Sequence, residues 1–187
     1  MTASVLVLVG SLRSASTNRQ IAQAARELAP EGLDLRIYEG LADIPFYNED
    51  IDVEGSVPAA ATAFREALAE VDGVLVITPE HNGTIPAVLK NAIDWSSRPF
   101  GASPISGKPT VVVGAAFGQY GGVWSHDEAR KALGIAGARV LDEIRMAVPG
   151  SMSRFVEVHP RDDEEVAAQL RSVLGDLHEV LSARAAA

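Results

Sequence analysis

The stretch Val5-Leu6-Val7-Leu8-Val9-Gly10-Ser11-Leu12-Arg13-Ser14-Ala15-Ser16-Thr17-Asn18-Arg19 decides how the rest of the chain is read. Val5 to Val9 is valine or leucine at every position, the pattern of a central parallel strand covered on both faces. From Ile21 the apolar residues switch to helical spacing, with Ala24, Ala25 and Leu28 on one stripe. A loop therefore joins a strand to a helix N-terminus, where unpaired N–H groups and the positive end of the macrodipole attract anions. Ser11, Ser16, Thr17 and Asn18 add short hydrogen-bonding side chains, and Arg13 adds a charged one. Read alone, the same residues equally describe an ordinary helix cap beside a solvated arginine.

Working outward, strand-like and helix-like patterns alternate, which predicts an α/β domain with a mainly parallel sheet. Further strands are expected at Leu33–Tyr38, Gly73–Thr78, Pro109–Ala115 and Val140–Val148. Helices are expected after Pro58, over Pro86–Trp95 and Ser125–Leu133, and from the acidic turn at Asp162–Glu165 onward, with residues 185–187 frayed. Residues 40–57 read as a long loop. Five strands and five helices in this order suit a flavodoxin-like, doubly wound five-stranded parallel sheet with strand order 2-1-3-4-5, spanning 1–187 as one domain. In such sheets ligands sit beyond the strand C-termini where the order reverses, so the loop after Thr78 is the expected partner of the Gly10–Asn18 loop.

Composition narrows the function. The chain has no cysteine, which removes disulfides, thiolate nucleophiles and cysteine metal sites, and it points to a cytoplasmic location. A net charge of −9 argues against a nucleic-acid partner, and no apolar run is long enough for a membrane span. In so acidic a protein, Arg13 and Arg19 stand out as sources of local positive potential. His81, His126, His159 and His178 have no metal-binding spacing; His126-Asp127-Glu128 reads as the first turn of a helix. The dinucleotide fingerprint G-x-G-x-x-G is missing, and Gly101–Lys108 departs from a P-loop in spacing and in preceding a strand.

The second loop reads Thr78-Pro79-Glu80-His81-Asn82-Gly83-Thr84-Ile85-Pro86 and runs into Val88-Leu89-Lys90-Asn91-Ala92-Ile93-Asp94-Trp95. Together the two loops resemble the NADPH-dependent FMN reductase family, whose patterns are G-S-L-R-x-x-S-x-N and P-E-Y-N-x-x-[IV]-P-x-x-L-K-N-A-I-D-W. The resemblance implies that Ser11, Arg13, Ser16, Thr17 and Asn18 hold the FMN phosphate. It places Pro79, Glu80, His81, Asn82 and Gly83 along the isoalloxazine ring, where N–H donors would favour its reduced state and Gly83 would allow close approach. It also implies a homodimer or homotetramer, in which Tyr47, Asn48 and Glu49 reach the ring of a neighbouring subunit and Lys90, Asp94 and Trp95 hold the helix and a subunit contact.

Two departures stand out. His81 replaces the family tyrosine. After the fourth strand, Ala116-Phe117-Gly118-Gln119-Tyr120-Gly121-Gly122-Val123-Trp124 keeps the glycines of S-P-G-x-x-G-G-x-R but loses its serine, proline and arginine. Gly118 and its fellow glycines suit backbone folded against the flavin, and Phe117 suits its edge. Without that arginine, both NADPH and NADH stand as co-substrates. The expected chemistry is hydride transfer from NAD(P)H through FMN to a quinone, azo compound, metal oxyanion or free flavin. An electron carrier or FMN-binding sensor without nicotinamide turnover is the alternative, and Arg13 weighs against the carrier.

Overall fold

The N-terminal apolar run is an inner strand. In the computed structural model, which describes residues 2–185, β1 (Ala3–Val9) is flanked in parallel by β2 (Leu33–Ile37) and β3 (Gly73–Ile77). Beyond β3 lie β4 (Pro109–Ala115) and β5 (Arg139–Val148), giving the order β2-β1-β3-β4-β5. This is the flavodoxin-like arrangement expected. Every residue of β3 and β4 is buried, whereas β2 and β5 alternate between buried and exposed, as edge strands with one free rim do.

Helices α1 (Thr17–Leu28) and α6 (Glu164–Ala185) cover one face; α2 (Ala59–Ala69), α3 (Ala87–Ser96) and α4 (Val123–Ile135) cover the other. Ile21, Ala24 and Ala25 of α1 pack with Val166, Leu170 and Leu174 of α6 over the first face. Phe64 and Leu68 of α2 and Leu89 of α3 fill the second. Pro58 and Pro86 stand immediately before α2 and α3, where a missing N–H costs nothing.

Three details differ from expectation. A sixth helix, α5 (Ser151–Arg154), follows β5 after Gly150 turns the chain at φ +63°. Residues 40–57 contain two 3-10 turns, Gly40–Asp43 and Glu49–Ile51, clamped by the two-pronged Arg65–Asp52 pair at 2.7 and 2.8 Å. That guanidinium holds the Asp52 carboxyl below its usual range. Finally, β5 slips in register against β4, with Thr110 opposite Val140 but Val112 opposite Arg145; at the slip, buried Arg130 donates to the Val112 carbonyl at 2.7 Å. Helix α6 continues through Ala185, and residues 186–187 lie outside the described part.

Candidate active site

All five strands point their C-terminal ends the same way, so the loops after β1, β3, β4 and β5 gather at one edge. They enclose a cavity of about 580 Å³. Its lining includes nine of the twelve residues expected there: Ser11, Arg13, Ser16, Thr17, Asn18, Pro79, Glu80, His81 and Phe117. Asn82, Gly83 and Gly118 are not part of it.

The first loop behaves as an anion cradle. Ser16 caps α1, its hydroxyl accepting from the Arg19 N–H at 3.3 Å, while its carbonyl takes the Gln20 N–H at 3.0 Å. The N–H groups of Thr17 and Asn18 have no acceptor among the described residues. The Arg13 side chain is exposed, makes no ion pair among those residues, and is the only lysine or arginine in the cavity lining. Arg19 is engaged elsewhere, gripping Glu39 through two bonds of 2.6 and 2.7 Å. Gly10 is required for packing: a Cβ there would sit 2.5 Å from the Thr78 hydroxyl.

The floor is a knot of buried polar groups. Asn18 is buried; its amide donates to the Ala115 carbonyl at 2.8 Å and its oxygen accepts the Ala115 N–H at 2.9 Å. This side chain therefore ties α1 to the end of β4, with one amide N–H and the backbone N–H left for a ligand. His126, also buried, lies 3.2 Å from the Thr78 carbonyl through Nε2. Burial pushes its imidazole down to about 4, outweighing the opposing effect of that hydrogen bond. The ring is thus neutral near pH 7, and its Nε2–H is the donor. Gly114 completes the knot, since a Cβ there would collide with the Thr78 carbonyl and stand 2.9 Å from both Asn18 Oδ1 and His126 Nε2.

Helix α4 also fixes the second loop. The Ser125 hydroxyl donates to the Pro79 carbonyl at 2.9 Å, and the Ser125 N–H reaches a Glu80 carboxylate oxygen at 3.4 Å. The loop tip is a tight hairpin in which His81 and Thr84 exchange backbone bonds of 3.0 and 3.1 Å. Asn82 and Gly83 form its turn at φ +52° and +77°, the left-handed pair an Asn-Gly sequence favours. The positive φ at Gly83 gives this glycine a conformational reason, the handedness of the turn, and no protein atom lies within 4 Å of where a Cβ would stand.

Other expected contributors lie apart from the cavity. Trp95 is fully buried and donates to the Pro45 carbonyl at 2.7 Å, so it anchors the loop before α2 and presents nothing to a neighbouring subunit. Asn91, which sequence reasoning did not single out, holds the same loop through Ile44, Pro45 and Tyr47. Tyr47 packs edge-on to Trp95 at 5.1 Å and accepts from Arg98; Asn48 caps the 3-10 turn, and Glu49 lies 3.6 Å from Arg98. Lys90 and Asp94 pair along the outside of α3. Conversely, Ser151 and Met152 line the cavity unforeseen, with the Ser151 N–H bonded to the Ala116 carbonyl; the Pro149-Gly150 turn at a strand end is the one signal that could have found them.

Cavity, cradle and second loop coincide with a sequence match. The pattern of the family described as NADPH-dependent FMN reductase covers residues 3–153, from the first residue of β1 into α5. The chain belongs to this family. It is accordingly an oxidoreductase that uses FMN and NAD(P)H. Among its relatives, a quinone reductase of Pseudomonas putida is 50% identical over 130 residues, covering 70% of this chain and 69% of that protein. A 2-hydroxy-1,4-benzoquinone reductase of a Burkholderia species is 35% identical over 155 residues, 83% of each. The solved structure of FerB, a flavoenzyme NAD(P)H:(acceptor) oxidoreductase from Paracoccus denitrificans, superposes with a TM-score of 0.80 at 26% identity, covering 97% of this chain and 98% of that one.

The family's cofactor fits the site. An FMN phosphate needs hydrogen-bond donors and positive charge, and the free N–H groups of Thr17 and Asn18 beside Arg13 supply both. The remaining wall, from Pro79, Pro86, Ala115, Ala116 and Phe117, is mostly apolar and suits a flat ring. Among the described residues, no group of three or more histidines or acids is placed to hold a metal ion, and no helix is long and apolar enough to cross a membrane.

Proposed function

We propose that this chain is a single-domain, cytoplasmic NAD(P)H:quinone reductase, with quinones as preferred acceptors and azo compounds, metal oxyanions and free flavin as further candidates. The observation that carries the proposal is the cation-bearing cradle at the start of α1 opening onto an apolar slot at the reversal of strand order. The names of the relatives favour a quinone acceptor. Held by Ser11, Arg13, Ser16 and the first turn of α1, FMN would supply two-electron redox chemistry between NAD(P)H and an acceptor, in the ping-pong order we propose.

The protein's contribution is position and electrostatics. Arg13, Ser11, Ser16 and the first N–H groups of α1 hold the phosphate, while Asn18 fixes the helix start against β4. Pro79 to His81, fixed by Ser125 at Pro79 and by His126 at the preceding Thr78, border the ring, and the Glu80 N–H, which has no acceptor among the described residues, is the backbone donor left to it. Asn82, Gly83 and Gly118 act through backbone shape beside the cavity. Phe117 stands exposed at its edge, where a planar acceptor can stack on it. Both reacting partners use one open face, which suits successive rather than simultaneous binding.

The test is an anaerobic titration. The purified protein is reconstituted with FMN, and NADPH and NADH are added separately while the flavin band is followed. Rapid bleaching that reverses on adding a quinone supports the proposal and ranks the nucleotides. A band that persists with both nucleotides refutes nicotinamide turnover, and failure to bind FMN refutes the site.

A further inference from the structure

Reduction of a quinone to a hydroquinone takes two electrons and two protons. A hydride brings both electrons and one proton, so the second quinone oxygen is left as an oxyanion whose proton must come from elsewhere. A side chain that holds a proton near neutral pH can deliver it in the same event, and general acids of this kind accelerate such steps by about 10²–10⁴-fold.

Three residues lining the flavin cavity carry ionisable side chains: Arg13, Glu80 and His81. A guanidinium does not release its proton, and carboxylic acids have ordinarily lost theirs near pH 7. The Glu80 carboxylate is in addition bound by the Ser125 N–H at 3.4 Å. Beneath the loop, His126 is buried, neutral near pH 7 and committed through Nε2 to the Thr78 carbonyl. The remaining walls, Pro86–Val88, Ala115–Phe117 and Ser151–Met152, bring no charged side chain to the lining. His81 differs from all of these. Its side chain is exposed at the cavity mouth, and its ring has no hydrogen bond or ion pair among the described residues. Its backbone is nonetheless fixed, since His81 and Thr84 bond each other in both directions and Pro79 is tied to Ser125. A fixed Cα with a free ring lets the imidazole turn between an acceptor in the cavity and bulk water.

We propose that His81 is the proton donor for acceptor reduction, its imidazolium protonating the oxyanion that hydride transfer leaves on the quinone. The acceptor gains a hydride from the bound cofactor and a proton from His81 and becomes a hydroquinone; the cofactor gives up two electrons, and the neutral imidazole recovers its proton from water. The direction is favourable, because an imidazolium is ordinarily a stronger acid than a phenol by about 3.5 pH units. The departure at this position thereby acquires a chemical content. The tyrosine of the family pattern is itself a phenol, and so no stronger an acid than the hydroquinone being formed. The inference rests on the proposed quinone reductase reading and deepens it, separating acceptors that need a proton from those that take electrons alone.

The test compares two acceptors on the FMN-loaded protein. The flavin is reduced anaerobically with NAD(P)H, or with dithionite, and mixed in a stopped-flow instrument with a quinone or with ferricyanide, which takes electrons without protons. The ratio of the quinone rate to the ferricyanide rate should fall about tenfold from about pH 6 to about pH 8.5 in the wild type, as imidazolium is lost. Loss of positive charge alone slows an anionic acceptor and would raise this ratio, so only the missing proton lowers it. His81→Gln should reduce the ratio about tenfold or more at the acid end and leave it nearly independent of pH. His81→Tyr, which restores a ring without the acid, should do the same. A readout without turnover is the His81 imidazole signal in NMR spectra of the oxidised, FMN-loaded protein, assigned by its absence from His81→Gln; it should titrate with the midpoint at which the ratio falls. A ratio that falls equally in wild type and variants, or an imidazole that does not titrate over this range, would overturn the proposal. Reduction by dithionite but not by NAD(P)H would refute nicotinamide turnover alone, whereas failure to bind FMN would overturn the flavin reading and the role of His81 with it.

Discussion

Protonation of His126 should set the acid limit of this protein's stability. The imidazole is 1% exposed and lies between the Thr78 carbonyl and the Gly114 backbone, and burial holds it at about 4 rather than the ordinary 6.5. In the unfolded chain the ring takes up its proton near pH 6.5; in the folded protein it stays neutral until about pH 4. The unfolded state therefore binds more protons in this window, so the stability is fully present above pH 6.5 and is lost as pH falls toward 4. At 1.36 kcal/mol per pH unit, lowering the pH from 7.5 to 5.0 should remove about 2 kcal/mol, and about 3 kcal/mol by pH 4. With a urea slope of about 2 kcal/mol per molar, the first loss is a midpoint shift of about 1 M. Asp52 and Asp163, both held below the ordinary 3.8 by arginine, lose their contributions only at lower pH. The assay is urea unfolding of wild type and His126→Gln at pH 5.0 and 7.5. Glutamine does not titrate, so whatever it costs in packing, the gap between its two midpoints should be smaller by about 1 M. An equal gap in the two proteins, or an imidazole signal titrating near 6.5 in the folded wild type, would refute the reasoning.

Three further outcomes are expected. Arg13→Ala should weaken FMN about 10- to 100-fold, the usual worth of a charge-assisted hydrogen bond, and leave riboflavin binding almost unchanged; equal losses in fluorescence titrations of the two ligands would remove the phosphate from this loop. Asn18→Ala leaves the buried N–H and C=O of Ala115 without partners and should cost about 3 kcal/mol, seen as a melting temperature lower by about 6–12 °C. Gly114→Ala should abolish FMN binding or folding, whereas Gly118→Ala, with open space around it, should leave both intact, as thermal melts and FMN titrations of the pair would show.

The strands that carry the site were legible because they are buried on both faces. Nothing polar interrupts Val5–Val9, Val74–Ile77 or Val111–Val113, and a continuous apolar run between turn signals has few other readings. The edge strand β5 was legible only as an extent. Its register slip involves Arg130, a residue of the preceding helix, reaching the Val112 carbonyl, and no local pattern encodes such a contact. The site divides the same way. Arg13 and Ser16 follow from being next to a strand end and a helix start. Asn18 looked like one more phosphate ligand, and only its contact with Ala115, 97 residues away, shows the side chain joining two walls. His126 looked like a first-turn residue, which it is; its place under the second loop depends on how α4 lies against β3 and β4.

The charge pattern explains how so acidic a chain can hold an anion. Arg19 and Arg154, in helices that contribute lining residues to the cavity, are paired with acids: Arg19 with Glu39, and Arg154 with Asp163 and Glu165. Beneath the cavity the polar groups of Asn18, Thr78 and His126 are uncharged and bonded to backbone, so the floor contributes fixed dipoles without a counter-charge that a phosphate would have to displace. Positive potential is thus confined to Arg13 and the first turn of α1, at one end of an apolar slot. A ligand with an anion at one end and a flat apolar ring at the other is oriented by that asymmetry before any specific ring contact forms. In the proposed reading, the Pro79–His81 wall, and not the charge, then sets its reacting face. This separation predicts different failures for the two parts: damage to the Arg13 cradle should weaken cofactor affinity and leave turnover of the bound fraction intact, whereas damage to the His126–Thr78 support should lower turnover at full occupancy.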